Sequence, residues 1–302
     1  MSKYLEQLKR YPYTDILGWS YSRYDTFKQC KRKYYYTYYG KYDLDNFYKI
    51  NKLKGLTTVP LEIGNVTHKL IQTILRRIRQ SFEPIDHDKL YDYAKRQTFI
   101  ICETKTFEDI YYQKRSQIDV ENEIFGPVAD ALMNLVTSPR MDWMFEEALL
   151  SKDDWIIELS DEHKYGECRI DDLKAYCKVD FMFPIDDELH IIDWKTGKPS
   201  YAKHATQLRG YAGWAICQFD VPLEQVKTTV AHLLPEYTEN ELTFNEYDLE
   251  QFVSDVRSQT DEMYSYCEVF ETNKPKRKDE FPMTQHVNFC KTCQFRELCD
   301  RV

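Results

Sequence analysis

The residues with the most specific chemistry lie in the stretch 177–198, which reads CKVDFMFPIDDELHIIDWKTGK. Two apolar runs flank a polar turn, a pattern that predicts an antiparallel β-hairpin. If the turn is centred on Asp186 and Asp187, cross-strand partners have residue numbers that add to 373, so Asp180 faces Asp193. Directly opposed side chains have Cβ atoms about 4.5–5.5 Å apart, and two carboxylates at that distance repel unless a cation lies between them. The hairpin therefore predicts a metal site.

Lys195 adds an amine to the same site. Asp193 and Lys195 are two residues apart, and strand alternation places their side chains on one face. Hard oxygen ligands suit Mg²⁺ or Mn²⁺, which activate water and neutralise charge that develops on a phosphate. The lysine could orient the attacking water or stabilise the oxyanion of the transition state. The alternative, an exposed hairpin with ordinary surface charges, is disfavoured because Asp193 interrupts the apolar run IIDW.

The secondary-structure patterns around these residues predict a mixed α/β core flanked by helices. Apolar residues at three- and four-residue steps predict a helix over 60–80, and further helices are predicted over 86–150. Strand patterns follow at WIIEL, AYCKVDFMF, LHIIDW and TTVAHLL, with a helix through HATQLRGYAGWAICQF before the last of them. A final helix is predicted through YDLEQFVSDVRSQTDEMYSYCEVF. We expect one domain over 1–302, with 86–150 as a helical insertion.

Composition restricts the class of protein. The chain has 302 residues, of which 30% are charged and 15% aromatic, which is typical of a soluble globular protein. No run approaches the ~18 apolar residues of a membrane span, and the charged start MSKYLEQLKR has no apolar signal core. We therefore expect a cytoplasmic protein without a membrane partner. A net charge of −9 argues against a passive nucleic-acid coat, although not against an enzyme that binds DNA in a local groove.

The cysteines indicate a second metal site. Nine cysteines, an odd number in a chain without a secretion signal, favour metal binding or free thiols over disulfides. Three of them, Cys290, Cys293 and Cys299, have the spacing C-x2-C-x5-C near the C-terminus. Thiolates bind both iron–sulfur clusters and zinc, so either is open at this point.

Several of these stretches resemble the PD-(D/E)XK nuclease superfamily, in its RecB-like branch with an iron–sulfur cluster. They are GNVTH at 64–68, KVD at 178–180, IIDWKTGK at 191–198, QLRGY at 207–211 and the terminal cysteines. The branch includes the small CRISPR-associated RecB-like nucleases, the AddB nuclease domain and exonuclease V. The resemblance implies a restriction-endonuclease-like fold and a Mg²⁺- or Mn²⁺-dependent deoxyribonuclease.

The resemblance also implies roles for individual residues. The metal ligands would be His68, Asp180, Asp193 and the backbone carbonyl of Trp194. Lys195 would be the catalytic lysine, and Gln207 and Tyr211 match the Q-x-x-x-Y motif, one helical turn apart, so that both side chains reach the site. Glu158, on the strand before the hairpin, is a candidate for orienting the site.

The same resemblance implies a [4Fe–4S] cluster. In the resembled branch one upstream cysteine joins three near the C-terminus, which here are Cys30 with Cys290, Cys293 and Cys299. Regions 1–50 and 270–302 would together form the cluster-binding region, and the cluster would join the two ends of the chain. Zinc is the alternative metal.

The expected substrate is DNA, either single-stranded or with free ends, cleaved by an exonuclease in repair, recombination or CRISPR adaptation. A CRISPR integrase, a helicase or a phage recombination protein are the candidate partners. Basic and aromatic residues around Cys30, in KQCKRKYYYTYY, suggest either contact with a single strand or buried packing. The rival interpretation is a non-catalytic iron–sulfur or zinc module that binds DNA or serves as a scaffold.

Overall fold

A computed structural model describes residues 9, 11–81, 83–158 and 168–301 of the chain. The α-helices of the described residues are α1 (Tyr21–Gln29), α2 (Lys31–Tyr34), α3 (Phe47–Lys54), α4 (Val59–Gln80), α5 (His87–Glu103), α6 (Glu108–Tyr111), α7 (Gly126–Val136), α8 (Pro139–Glu146), α9 (Tyr201–Phe219), α10 (Glu246–Tyr264) and α11 (Val287–Lys291). The strands are β1 (Leu56–Thr57), β2 (Thr106–Phe107), β3 (Ile156–Ile157), β4 (Cys168–Ile170), β5 (Leu173–Ala175), β6 (Phe181–Ile185), β7 (Glu188–Lys195), β8 (Val226–His232), β9 (Thr238–Leu242), β10 (Cys267–Val269) and β11 (Lys274–Pro275). This is the predicted mixed α/β architecture. Helices α5 to α8 lie within 86–150, and the division of the chain into a domain with an insertion stays a prediction.

The central sheet has five strands in the order β3-β6-β7-β8-β9. Strands β6 and β7 form the predicted hairpin, with partners from Phe181 opposite Ile192 to Ile185 opposite Glu188, and these numbers add to 373 as predicted. Strand β8 runs parallel to β7, and α9 makes the crossover between them. The carboxyl end of β7 and the start of β6 therefore lie at the same end of the hairpin.

Each face of the sheet packs against a different hydrophobic core. Ile191 belongs to the core that also contains Leu208 and Trp214 of α9. Ile192 and Trp194 belong to the other core, which α4 and α7 help to form. Because side chains alternate along a strand, Asp193 and Lys195 point to the side of the sheet on which α9 packs.

Helix α4 follows its predicted apolar stripe. Val66, Leu70, Ile74 and Ile78 are all buried, as the spacing of three and four residues requires of a core-facing helix. At its start the Thr58 hydroxyl accepts a hydrogen bond from the backbone of the first turn, which is a favourable N-cap. The helix has the predicted end and begins one residue earlier than expected.

Two predicted element boundaries are wrong. The run AYCKVDFMF is not one strand, because Ala175 pairs with Cys168 in a separate hairpin whereas Phe181 pairs in the central sheet. Residues 176–180 between them have no regular structure. The last long helix ends at Tyr264 rather than continuing to Phe270, because the next residues form β10 and pair with β11. The final residue of the predicted strand WIIEL, Leu159, lies outside the described residues.

The tyrosine run after Cys30 is interior packing. Tyr34, Tyr35, Tyr36 and Tyr39 are at most 3% exposed, and they pack against aromatic residues such as Phe281 and Phe295 from the C-terminal part of the chain. Of the two readings of this stretch, the structure supports buried packing for these four side chains. They join the two ends of the chain into one core and offer no exposed ring faces to a nucleic-acid base.

A buried ion pair also fastens the C-terminal segment to the helical region. Nη1 of Arg296 lies 2.5 Å from Oε1 of Glu108 in α6, and its guanidinium lies 3.3 Å from the centre of the Tyr112 ring. Arg296 is 5% exposed and lies between Cys293 and Cys299. The segment that carries the terminal cysteines is thus attached to α6 and to Tyr112.

We expect Arg296→Ala to lower the free energy of unfolding by about 3–5 kcal/mol, because it leaves the Glu108 carboxylate buried without its cation. Arg257→Ala is the matched control, since the Arg257–Asp171 pair has a similar distance of 2.6 Å but both side chains are 53% exposed. Such an exposed pair contributes about 0–1 kcal/mol. Urea unfolding of both variants measures the difference, and equal losses would contradict the prediction.

Within the described ranges, no helix combines the length and apolar character that a membrane crossing needs.

Candidate active site

The two opposed carboxylates lie at the open end of the β6–β7 hairpin. Asp180 comes directly before β6, and continuing the register places it opposite Asp193. Its Oδ2 accepts a hydrogen bond of 3.1 Å from the backbone nitrogen of Trp194, and its Oδ1 lies 3.3 Å from Nδ1 of His68 on α4. Asp193 is only 1% exposed. The structure thus brings together His68, Asp180 and Asp193, the three side chains predicted as metal ligands.

A hydrogen-bonded network joins Lys195 to helix α9. Nζ of Lys195 lies 2.5 Å from Oδ2 of Asp193 and donates to Oε1 of Gln207 at 3.0 Å. The Gln207 amide nitrogen donates to Oδ1 of Asp193 at 3.1 Å and contacts the Tyr211 hydroxyl at 2.6 Å. The Tyr211 hydroxyl donates to the backbone carbonyl of Lys178 at 2.6 Å. Gln207 and Tyr211 therefore both reach the hairpin, as the spacing of one helical turn predicts.

Burial and mutual repulsion separate the acidities of the two aspartates. Burial, together with the negative charge of Asp180, raises the pKa of Asp193 to about 7, although Lys195 opposes this shift. Burial also acts to raise the pKa of Asp180, but the positive charges of His68 and Lys195 outweigh it and bring that pKa below its usual value. For His68, burial acts to lower the pKa, and the charge of Asp180 reverses this and raises it. These shifts favour the charged forms of His68 and Asp180 and the protonated form of Asp193.

The chemistry of these donors fits a hard divalent cation. Oδ2 of Asp193 is buried, and its close neighbour is the Lys195 ammonium at 2.5 Å. A cation would favour the ionised form of Asp193, whose pKa is raised. In the described part of the chain no group of three or more His, Cys, Asp or Glu side chains is arranged to hold a metal ion. The donors contact one another instead, and the Trp194 carbonyl stays the predicted fourth ligand.

Two buried histidines next to Lys195 did not emerge from the sequence. His232 is the parallel partner of Lys195 in the sheet, and its ring centre lies 5.3 Å from that of His204 on α9. Burial, followed by the charge of Lys195, lowers the pKa of His204 to about 4. Burial likewise lowers the pKa of His232. Both imidazoles are therefore neutral at physiological pH. Only the register between β7 and β8 places His232 beside Lys195, and the spacing of residues along the chain does not reveal that register.

The four predicted cluster ligands line one cavity. Cys30, Cys290, Cys293 and Cys299 all border it, together with the side chains of Tyr36 and Phe295 among others. Burial raises the pKa of the Cys299 thiol to about 11 and also raises that of Cys293. All nine cysteines are free thiols. Among the described residues these four thiols, like the other His, Cys, Asp and Glu side chains, are not arranged as a group that holds a metal ion. Sulfur donors of this type bind iron–sulfur clusters and zinc, and such binding would release their protons.

Comparison with known proteins gives one family match. Residues 18–300 match the family model described as the PD-(D/E)XK nuclease superfamily, a range that contains all the predicted site residues. None of the curated proteins matches the sequence. The solved structure titled "Crystal structure of SSO0001" is similar over 63% of this chain and 77% of its own, with 13% identity and a TM-score of 0.26.

Proposed function

The chain belongs to the PD-(D/E)XK nuclease superfamily, and on this basis we propose that it is a Mg²⁺- or Mn²⁺-dependent deoxyribonuclease of the RecB-like branch. The proposed reaction is hydrolysis of phosphodiester bonds at the ends of single-stranded DNA. The observation that carries the proposal is the cluster in which Asp180, Asp193 and Lys195 meet at one end of the hairpin, with Gln207 bonded to two of them. This cluster combines carboxylate oxygens for a cation with an ammonium for a phosphate.

In the proposed mechanism, the ion would be held by His68, Asp180, Asp193 and the Trp194 carbonyl. When bound, it supplies an activated water and neutralises charge on the phosphate. Lys195 orients the attacking water or stabilises the charge that develops on the phosphate, and its ammonium is held in place from two sides, by Asp193 and by Gln207.

Gln207 and Tyr211 act as positioning residues in this proposal. The Gln207 amide joins Asp193 to Lys195, so the distance between carboxylate and ammonium depends on it. Tyr211 bonds to Gln207 and to the backbone carbonyl of Lys178, two residues before Asp180. Helix α9 therefore connects the ends of both hairpin strands.

The proposal includes a [4Fe–4S] cluster held by Cys30, Cys290, Cys293 and Cys299. Its support is the cavity that all four thiols border and the soft sulfur donors that iron–sulfur clusters require. Zinc, with the same ligands, is the competing outcome. A cytoplasmic location and work beside a CRISPR integrase, a helicase or a phage recombination protein belong to the same proposal and rest on the resemblance alone.

The proposed function is tested directly by varying the divalent ion and by comparing linear with circular single-stranded DNA. We expect Mg²⁺ or Mn²⁺ to support shortening of an end-labelled linear single strand. EDTA should stop it, because it removes the ion that the carboxylates are proposed to bind. Circular single strands, which have no ends, should persist. Denaturing gels measure both, and an Asp180→Ala chain purified in parallel controls for contaminating nucleases.

Cleavage of the circles would overturn the exonuclease part of the proposal. Failure to cleave any DNA with either ion would overturn the nuclease proposal itself.

A further inference from the structure

Glu158 extends the two aspartates into a row of three carboxylates. In the pairing of β3 with β6, Ile157 lies opposite Phe181, so the next position in the register places Glu158 opposite Asp180. The backbone nitrogen of Glu158 donates to the Asp180 carbonyl at 3.0 Å, which continues this register by one residue. Since Asp180 in turn lies opposite Asp193, the three residues occupy the same level of neighbouring strands.

The conformation of Glu158 is unusual for its residue type. Its φ of 45° lies in the left-handed region, and the residue is only 7% exposed. Residues other than glycine rarely adopt this backbone conformation, because it brings Cβ too close to the following carbonyl oxygen. Its carboxylate forms an ion pair with Nζ of Lys178. An outlier of this kind beside a candidate active site suggests a functional constraint.

The backbone of Lys178 is bonded to Tyr211 of the site, whereas its side chain is exposed to solvent. Its backbone carbonyl accepts the hydrogen bond from Tyr211, which fixes the main chain two residues before Asp180. Its side chain is 63% exposed, whereas the side chain of its partner Glu158 is 9% exposed. The buried carboxylate therefore holds an exposed ammonium whose own backbone lies two residues before Asp180.

We propose that Lys178 contacts a backbone phosphate of the DNA strand next to the phosphate that is cleaved. Glu158 is the positioning residue that holds the Lys178 ammonium beside Asp180. The inference rests on the proposed nuclease function and adds a substrate contact to it. The chemistry is that of an ammonium and a phosphate oxygen, which is independent of the base sequence.

Salt-dependent binding tests this contact. The affinity for an end-labelled single strand is measured at several salt concentrations with Ca²⁺ in place of Mg²⁺, after a check that no cleavage occurs. Each phosphate contact to a single strand contributes about 0.7 to the slope of log affinity against log salt. We expect Lys178→Ala to lower the slope by about this amount and the affinity about three- to tenfold. Lys178→Arg should retain both.

Lys227→Ala is the matched control for the loss of a lysine. Lys227 lies 3.3 Å from Glu188 and pairs with His190, three positions along β7 from Asp193, and its removal should change neither slope nor affinity. If Lys178→Ala and Lys227→Ala give the same slope while the wild-type chain cleaves DNA, the inference is wrong and the proposed function stands. If the wild-type chain neither binds nor cleaves DNA, both fail.

A double-mutant cycle tests the role of Glu158. Because Glu158 is assigned to act through Lys178, Glu158→Gln should alter the affinity in the wild-type chain and leave it unaltered in the Lys178→Ala chain. Equal changes in the two chains would overturn the assignment. Thermal unfolding of each variant verifies that the amide, which has nearly the same shape as the carboxylate, leaves the fold intact.

Discussion

Alanine in place of Lys195 is expected to reduce the rate of DNA cleavage by about 10³-fold while the chain remains folded. The ammonium is the cation that contacts the buried Asp193 carboxylate, and Gln207 holds it from the other side. Its loss removes charge stabilisation at the phosphate. Single-turnover cleavage of an end-labelled strand with Mg²⁺ or Mn²⁺ measures the rate. Asp180→Ala should have an effect of the same order, since it removes a proposed metal ligand and the partner of His68.

Lys227→Ala is again the control, because it removes an ion-paired lysine of the same sheet away from the cluster. It should retain the wild-type rate. DNA binding with Ca²⁺ distinguishes lost chemistry from lost substrate, and we expect Lys195→Ala to bind DNA. A Lys195→Ala chain that cleaves at the wild-type rate would show that this cluster is not the catalytic site.

Serine in place of Cys293 is expected to have the largest effect on stability. In the proposed cluster Cys293 acts with Cys30, so the ligands join the two ends of the chain and close a very long loop. Metal binding that closes such a loop is coupled to folding, and its loss should lower the free energy of unfolding by several kcal/mol, on the order of 5 kcal/mol. The wild-type chain, purified without oxygen, should be brown and contain about four iron atoms. The variant should lose both the colour and the iron.

Cys217→Ser is the matched control, since Cys217 is an exposed cysteine outside the cavity. It should retain the iron content and the wild-type unfolding transition. Zinc in place of iron in the wild-type chain would support the alternative metal. Iron retained in Cys293→Ser at the wild-type level would rule out this cysteine as a ligand.

The local parts of the site could be predicted from the sequence. The register of Asp180 and Asp193 followed from a two-residue turn between two apolar runs, since such a turn determines the pairing of its own strands. The shared face of Asp193 and Lys195 followed from strand alternation, and the alignment of Gln207 with Tyr211 from the period of a helix. Each of these relations spans fewer than about 20 residues, so the geometry of one element or one hairpin is sufficient.

Other features depended on contacts between distant parts of the chain. The tyrosine run could equally have been exposed or buried, and its burial results from packing against Phe281 and Phe295. The break between β5 and β6 arises because two separate sheets compete for one apolar run. Glu158 lies beside Asp180 only because β3 pairs with β6.

The sequence by itself determined the hairpin, its three charged groups and the cysteine spacing. Only the tertiary structure decided that α4 brings His68 to Asp180, that β8 places His232 beside Lys195, and that Glu158 forms an ion pair with Lys178. The physical reason is that backbone periodicity and turns act over a few residues. Which distant surfaces bury one another depends on the packing of the whole core.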